Sequence, residues 1–103
     1  TKGYLSVPFA CTLTGWRLLA AAATTATLDV WKDAFGSFPP TDADGIAGSE
    51  KPALAGASAG EDAALSTWTT AVNAGDVLGF EVESNSAAKW LELTLTYQRT
   101  VPI

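Results

Sequence analysis

The chain has 103 residues, 48% of them hydrophobic and 10% aromatic, so it is apolar enough and just long enough to fold as a single domain, 1–103, around one core. Eleven acids against six bases leave a formal charge of −5, which repels phosphate backbones and anionic lipid, so neither nucleic acid nor a membrane surface is an expected partner. There is no His to serve as a base near neutral pH, and the single Cys11, in an apolar stretch, is expected to pack as a small hydrophobe.

Taken in chain order, the dominant signal is alternation with a period of two. Leu5, Val7 and Phe9 alternate with Tyr4, Ser6 and Pro8. Pro8 lacks an N–H, so this first strand belongs at an edge. Residues 11–18 continue as a strand, with Gly15 marking a bulge. Residues 20–25 are small and read as a turn, and residues 26–33 return with Leu28 and Val30 inward. Leu and Ala favour helix over residues 17–23, but the Thr-rich, alternating flanks decide for strand.

Residues 34–62 carry Gly36, Pro39, Pro40, Gly45, Gly48 and Pro52, the chemistry of a long central loop. A short strand is expected near residues 46–50, a brief helical turn near 61–65, and packing by Phe35 and Phe38. Residues 64–72 read as a strand centred on Trp68, and residues 73–76 as a tight turn. Leu78, Phe80 and Val82 then alternate with Gly79, Glu81 and Glu83; Leu91, Leu93, Leu95 and Tyr97 alternate with Trp90, Glu92, Thr94 and Thr96. With the polar turn between them, these two runs form an antiparallel hairpin. The total is about seven short strands. The expected fold is all-β, an antiparallel β-sandwich, jelly-roll-like, with a long central loop. No apolar run reaches the roughly 18 residues that span a bilayer. No stretch reads as a signal peptide, and Thr1 in place of Met is expected of a trimmed chain or of part of a longer one.

Catalytic chemistry is poorly supplied. Ser and Thr are plentiful, but no His is present to activate one. Asp29, Asp33, Glu81, Glu83 and Glu92 could form a glycosidase pair, but the pattern places each on an outward strand face or just past its end, as a solvated acidic surface. Asp42 and Asp44, followed by Gly45, resemble the start of a calcium loop; the Glu that would complete it is missing, and an Asp-rich turn is the expected structure. No catalytic residue, metal or cofactor is therefore expected.

The four tryptophans carry the most information. Trp68 shares a face with Val72 and is placed inside. Trp31 and Trp90 fall opposite their core-facing neighbours, so each is expected against another subunit or the long loop, or exposed as a sugar-stacking platform. Trp16, at the bulge, is open to either placement. Trp31, Trp90 and Trp16 are thus the candidate contact or glycan-stacking residues.

The run Leu65-Ser66-Thr67-Trp68-Thr69-Thr70-Ala71-Val72, continuing through Asn73-Ala74-Gly75-Asp76-Val77-Leu78-Gly79-Phe80-Glu81-Val82, resembles one found in small bacteriophage and prophage β-sandwich proteins. So do Val7-Pro8-Phe9, Thr12-Leu13-Thr14-Gly15-Trp16, Leu28-Asp29-Val30-Trp31-Lys32-Asp33, Phe38-Pro39-Pro40 and Ile46-Ala47-Gly48-Ser49-Glu50-Lys51-Pro52. The resemblance covers nearly the whole chain. It implies a non-catalytic virion structural protein on the particle surface: a tail-fibre tip, receptor-binding or host-attachment domain, or alternatively a capsid-decoration (head-fibre) protein. The implied partners are two further copies in a homotrimer, other virion proteins and a host surface glycan. The segment from Ala74 to Phe80 is also similar to jelly rolls of the tumour-necrosis-factor-like kind, which supports fold and trimer rather than function. The rival from another class is a carbohydrate-binding module of a secreted bacterial protein, with Trp31 and Trp90 as its platform.

Overall fold

In the computed structural model, which describes residues 3–99, alternation produces six strands. They are β1 (Gly3–Ser6), β2 (Cys11–Asp33), β3 (Ala53–Asp62), β4 (Ala71–Val72), β5 (Val77–Asn85) and β6 (Leu91–Arg99). All pairings are antiparallel, and the all-β class expected from the alternation is the class observed.

The spine is β2. A straight strand of its 23 residues would run about 75 Å, yet the molecule is 44 Å in its longest dimension. β2 therefore bends, and its register shifts against three neighbours: at Leu13/Gly15 against β6, between Leu19 and Ala26 against β3, and at Thr27/Leu28 against β5. Each extra residue increases local twist and lets one strand turn a corner. The turn expected at residues 20–25 is thus a strand corner, so two expected strands are one. That segment holds no Gly, Pro or Asn to close a turn, while buried Thr24 donates to Asn85 Oδ1 at 2.8 Å and ties the corner to the end of β5.

The first arm of β2 pairs with β6, and the second with β5. β3 runs along the opposite edge, β4 touches Cys11 and Thr12, and β1 lies outside β5 as an edge strand. The bend folds both arms over one core, in which Leu13, Trp16 and Leu18 meet Leu28, Val30 and Leu78. Gly15 is required here, because a Cβ would lie 2.7 Å from Asp62 O.

The middle of the chain departs from expectation in four places. Residues 46–50 form no strand; Gly45 makes an isolated bridge to Trp31, and Ile46 N donates to Val30 O at 3.0 Å. Residues 61–65 form no helical turn, because β3 runs on through Asp62; the single 3-10 turns are Phe35–Ser37 and Asp42–Asp44. Of residues 64–72, Ala71–Val72 alone pair as strand, since Leu65 takes a left-handed φ of 49° and Trp68 N closes a turn onto Leu65 O. Phe35 does not pack: it is 77% exposed, and Phe38 sets its ring edge-on to Tyr4, with centroids 4.8 Å apart.

Candidate functional site

β5 and β6 are consecutive strands that do not pair with each other; each pairs with a different arm of β2. Their apolar faces look toward one another across an open cleft. On β6, Leu91, Leu93 and Leu95 alternate with exposed Glu92, Thr94 and Thr96 as expected, but the leucines are only half-buried. Phe80 and Val82 on β5 are half-buried too, and all five pack against the core.

The cleft has two ends that share Phe80 and Leu93. One end, a groove of about 320 Å³, is bounded by Leu5, Phe9, Leu78, Leu95 and Tyr97, and among the described residues no charged one lines it. The rings of Phe9 and Tyr97 stand 5.4 Å apart, and the Arg99 guanidinium lies over the Phe9 ring at 4.8 Å. The other end, about 700 Å³, runs along residues 80–85 of β5 to Lys89 and Trp90.

Free strand edges border the cleft. β1 covers β5 only from Val77 to Phe80, so residues 81–85 lack a strand neighbour on that side among the described residues. Among the described residues β6 pairs only with β2, leaving one edge of nine residues without a strand neighbour there. Proteins usually blunt such edges with Pro, Lys, bulges or short length. β1 is short, and β3 is broken by register shifts and by Gly56 at φ +61°. β6 has neither Pro nor Lys, and its pairing is interrupted once, at Leu13/Gly15.

The opposite face of the β2–β5 pair is closed by the loop, residues 34–52. A Cβ on Gly79 would lie 3.2 Å from Pro40 Cγ and 3.5 Å from Trp31, so the loop seats directly on the sheet. Beneath it, Asp29 accepts from Trp31 Nε1 at 3.1 Å and from Val30 N at 2.9 Å. Lys51 bridges both strands: its Nζ lies 2.8 Å from both Glu83 carboxylate oxygens and 3.7 Å from Asp29 Oδ2. The Glu83 hydrogen bond, then the charges of Asp29, Glu83 and Asp42, push the Lys51 pKa up. Glu50 anchors the loop's end, accepting from Ser66 Oγ and Thr67 N at 2.8 Å each, while its carbonyl takes Trp68 Nε1 at 2.8 Å. Those bonds to Ser66 and Thr67 hold its carboxyl below the usual range.

The structure separates the three candidate tryptophans. Trp90 is 56% exposed, at the head of β6 and the wide end of the cleft. Trp31 does lie opposite the core, but the loop covers it to 5% exposure. Trp16 is inside at 7%, and its Nε1 has no protein partner. A flat platform of Trp31 and Trp90 is therefore ruled out in this chain. Asp29, expected on a solvated face, is 4% exposed for the same reason: alternation gives the side of the sheet, not what covers it. Asp44 caps its own turn, accepting from Thr41 N at 2.8 Å, and Asp42 stands beside it; among the described residues no three His, Cys, Asp or Glu side chains gather as a metal site. Cys11 is buried, and desolvation pushes its thiol up.

Lys51 and Glu50 escaped the sequence reading because their partners lie 32 and 16 residues away. Leu5, Phe9, Phe80 and Tyr97 were legible as strand residues, but nothing in the pattern says that they border one cleft. Compared with protein families, curated proteins and solved structures, the chain gives no match.

Proposed function

We propose that this chain is a non-catalytic bacteriophage virion structural domain, displayed on the particle surface as a homotrimer, in a tail-fibre, receptor-binding or host-attachment role. One observation carries the reading: the narrow end of the cleft is apolar and, among the described residues, lined by none that is charged, with the Arg99 guanidinium over Phe9 at its margin. Copies that each bear −5 repel one another overall, and a contact is least opposed where local charge is lacking. A second copy seated on Leu95 and Tyr97 would complete a core that one copy leaves partly wet. The unblunted β6 edge lies beside this contact and supports the same reading. Lack of turnover fits the absence of His and the engagement of Asp29 and Glu83 by Lys51.

Sedimentation equilibrium of the purified chain tests this, with a trimer expected at micromolar concentration. A monomer there overturns it. Binding to host cells, not to purified capsids, is the expected mark of the attachment role. The capsid-decoration reading has its own observation: Phe35, Phe38 and Tyr4 form an exposed aromatic rim on the loop side, suited to a lattice contact. Tight binding to purified capsids that Phe35→Ser abolishes would favour decoration.

A further inference from the structure

We infer that the wide end of the cleft is a saccharide-binding site, in which an uncharged sugar ring lies against the face of Trp90. The inference deepens the receptor-binding reading by naming a ligand class and a place.

Trp90 is the one tryptophan that the fold leaves out: Trp16, Trp31 and Trp68 are each 7% exposed or less, and Trp90 is 56% exposed. The backbone that carries it is tied to β2. Thr24 Oγ1 bonds Asn85 Oδ1, Asn85 Nδ2 donates to Ala88 O at 2.7 Å, and Ala21 N donates to Trp90 O at 3.2 Å. A turn pinned in this way fixes where the aromatic side chain starts, so its backbone adds little ordering entropy on binding.

The groove beside it, about 700 Å³, lies within the roughly 300–1,000 Å³ range of small-ligand sites. Its chemistry is mixed in the way a sugar is mixed. Val82, Leu91 and Leu93 meet an apolar C–H face. The Ser84 hydroxyl and the Lys89 ammonium make no side-chain hydrogen bond among the described residues, and the edge of β5 at residues 83–85, which has no strand neighbour among them on that side, offers backbone donors and acceptors to sugar hydroxyls. An extended peptide is a poorer fit. Thr27 pairs with Ser84 and Leu28 with Val82, so Glu83 is an extra residue that breaks the edge a peptide strand would need. Glu81 and Glu83 on this strand, and the charge of −5, disfavour acidic sugars.

The test is a fluorescence titration of the purified full chain with a panel of neutral oligosaccharides and their sialylated counterparts. Trp90 is the solvent-facing tryptophan among the described residues, so its emission reports the site. At least one neutral saccharide should shift the emission and saturate. Trp90→Ala and Trp90→Phe remove that reporter, so their affinities are read by titration calorimetry: Trp90→Ala should weaken binding roughly tenfold with sedimentation and circular dichroism unchanged, and Trp90→Phe should restore most of the affinity. No saturation by about 10 mM, binding confined to sialylated sugars, or binding indifferent to Trp90→Ala each overturns the site. A trimer that binds no sugar loses this inference and keeps the assembly; a monomer that binds sugar through Trp90 does the reverse.

Discussion

On one face of the β2–β5 pair, Trp31, Asp29 and Gly79 lie under residues 34–52, clamped by Lys51 and anchored by Glu50. On the other face, Phe80 and Val82 look across an open cleft to Leu93. The same alternating residues built both faces. The chain covered the first with its own loop and left the second half-wet, although Phe80 and the leucines of β6 are as apolar as anything beneath the loop. Closure in cis serves stability, whereas an apolar face left open to water is the kind of surface on which contacts form.

The sharpest way to break this contrast is to remove the aromatic under the loop. Trp31→Ala should cost about 3–5 kcal/mol in denaturant unfolding, because a buried ring leaves a cavity that the loop cannot fill. A loss below about 0.5 kcal/mol would mean that the loop does not cover Trp31 in solution. The matching change on the open face is Leu93→Asp. It should leave the far-ultraviolet β spectrum intact and weaken self-association by at least about tenfold, the worth of burying one Leu at a contact. Unchanged sedimentation would place the interface elsewhere.

A milder probe is pH. The Glu50 carboxyl titrates lower in the folded chain than in the unfolded one, so the unfolded state takes up the proton first. The stability it contributes is present above the ordinary carboxylate range of about 4 and is lost as the pH falls through the folded value. Lys51 titrates higher when folded, so its contribution is present below the ordinary lysine range and fades as the pH rises through the folded value. Glu50→Gln should flatten the acid limb of a stability–pH curve and leave the alkaline limb as it was; an unchanged acid limb would dismiss Glu50 as the anchor. The smallest effect is expected of Phe35→Ser, within about 0.5 kcal/mol in thermal or denaturant unfolding, since that ring is largely in solvent. A large loss would show that the aromatic rim packs against something in the free protein.

Alternation alone was enough to read the class of fold, the inward set Leu28, Val30, Leu78, Leu93 and Leu95 and the bulge at Gly15, because each follows from the two-residue period of a pleated strand; Trp68 is inside as expected, but from a turn and not from the strand that the alternation gave it. Alternation also supplied the side of the sheet for Trp31, but not for Trp90, which precedes β6 and borders the same cleft as Leu91 and Leu93. What covers each side is a long-range fact. The loop over Trp31, the reach of Lys51 to Glu83, the corner in β2 and the gap between β5 and β6 all depend on residues far apart in sequence meeting after the chain has bent. A local period records which way a side chain points. Whether it finds protein, a partner or water there is decided when the arms of β2 close over their core.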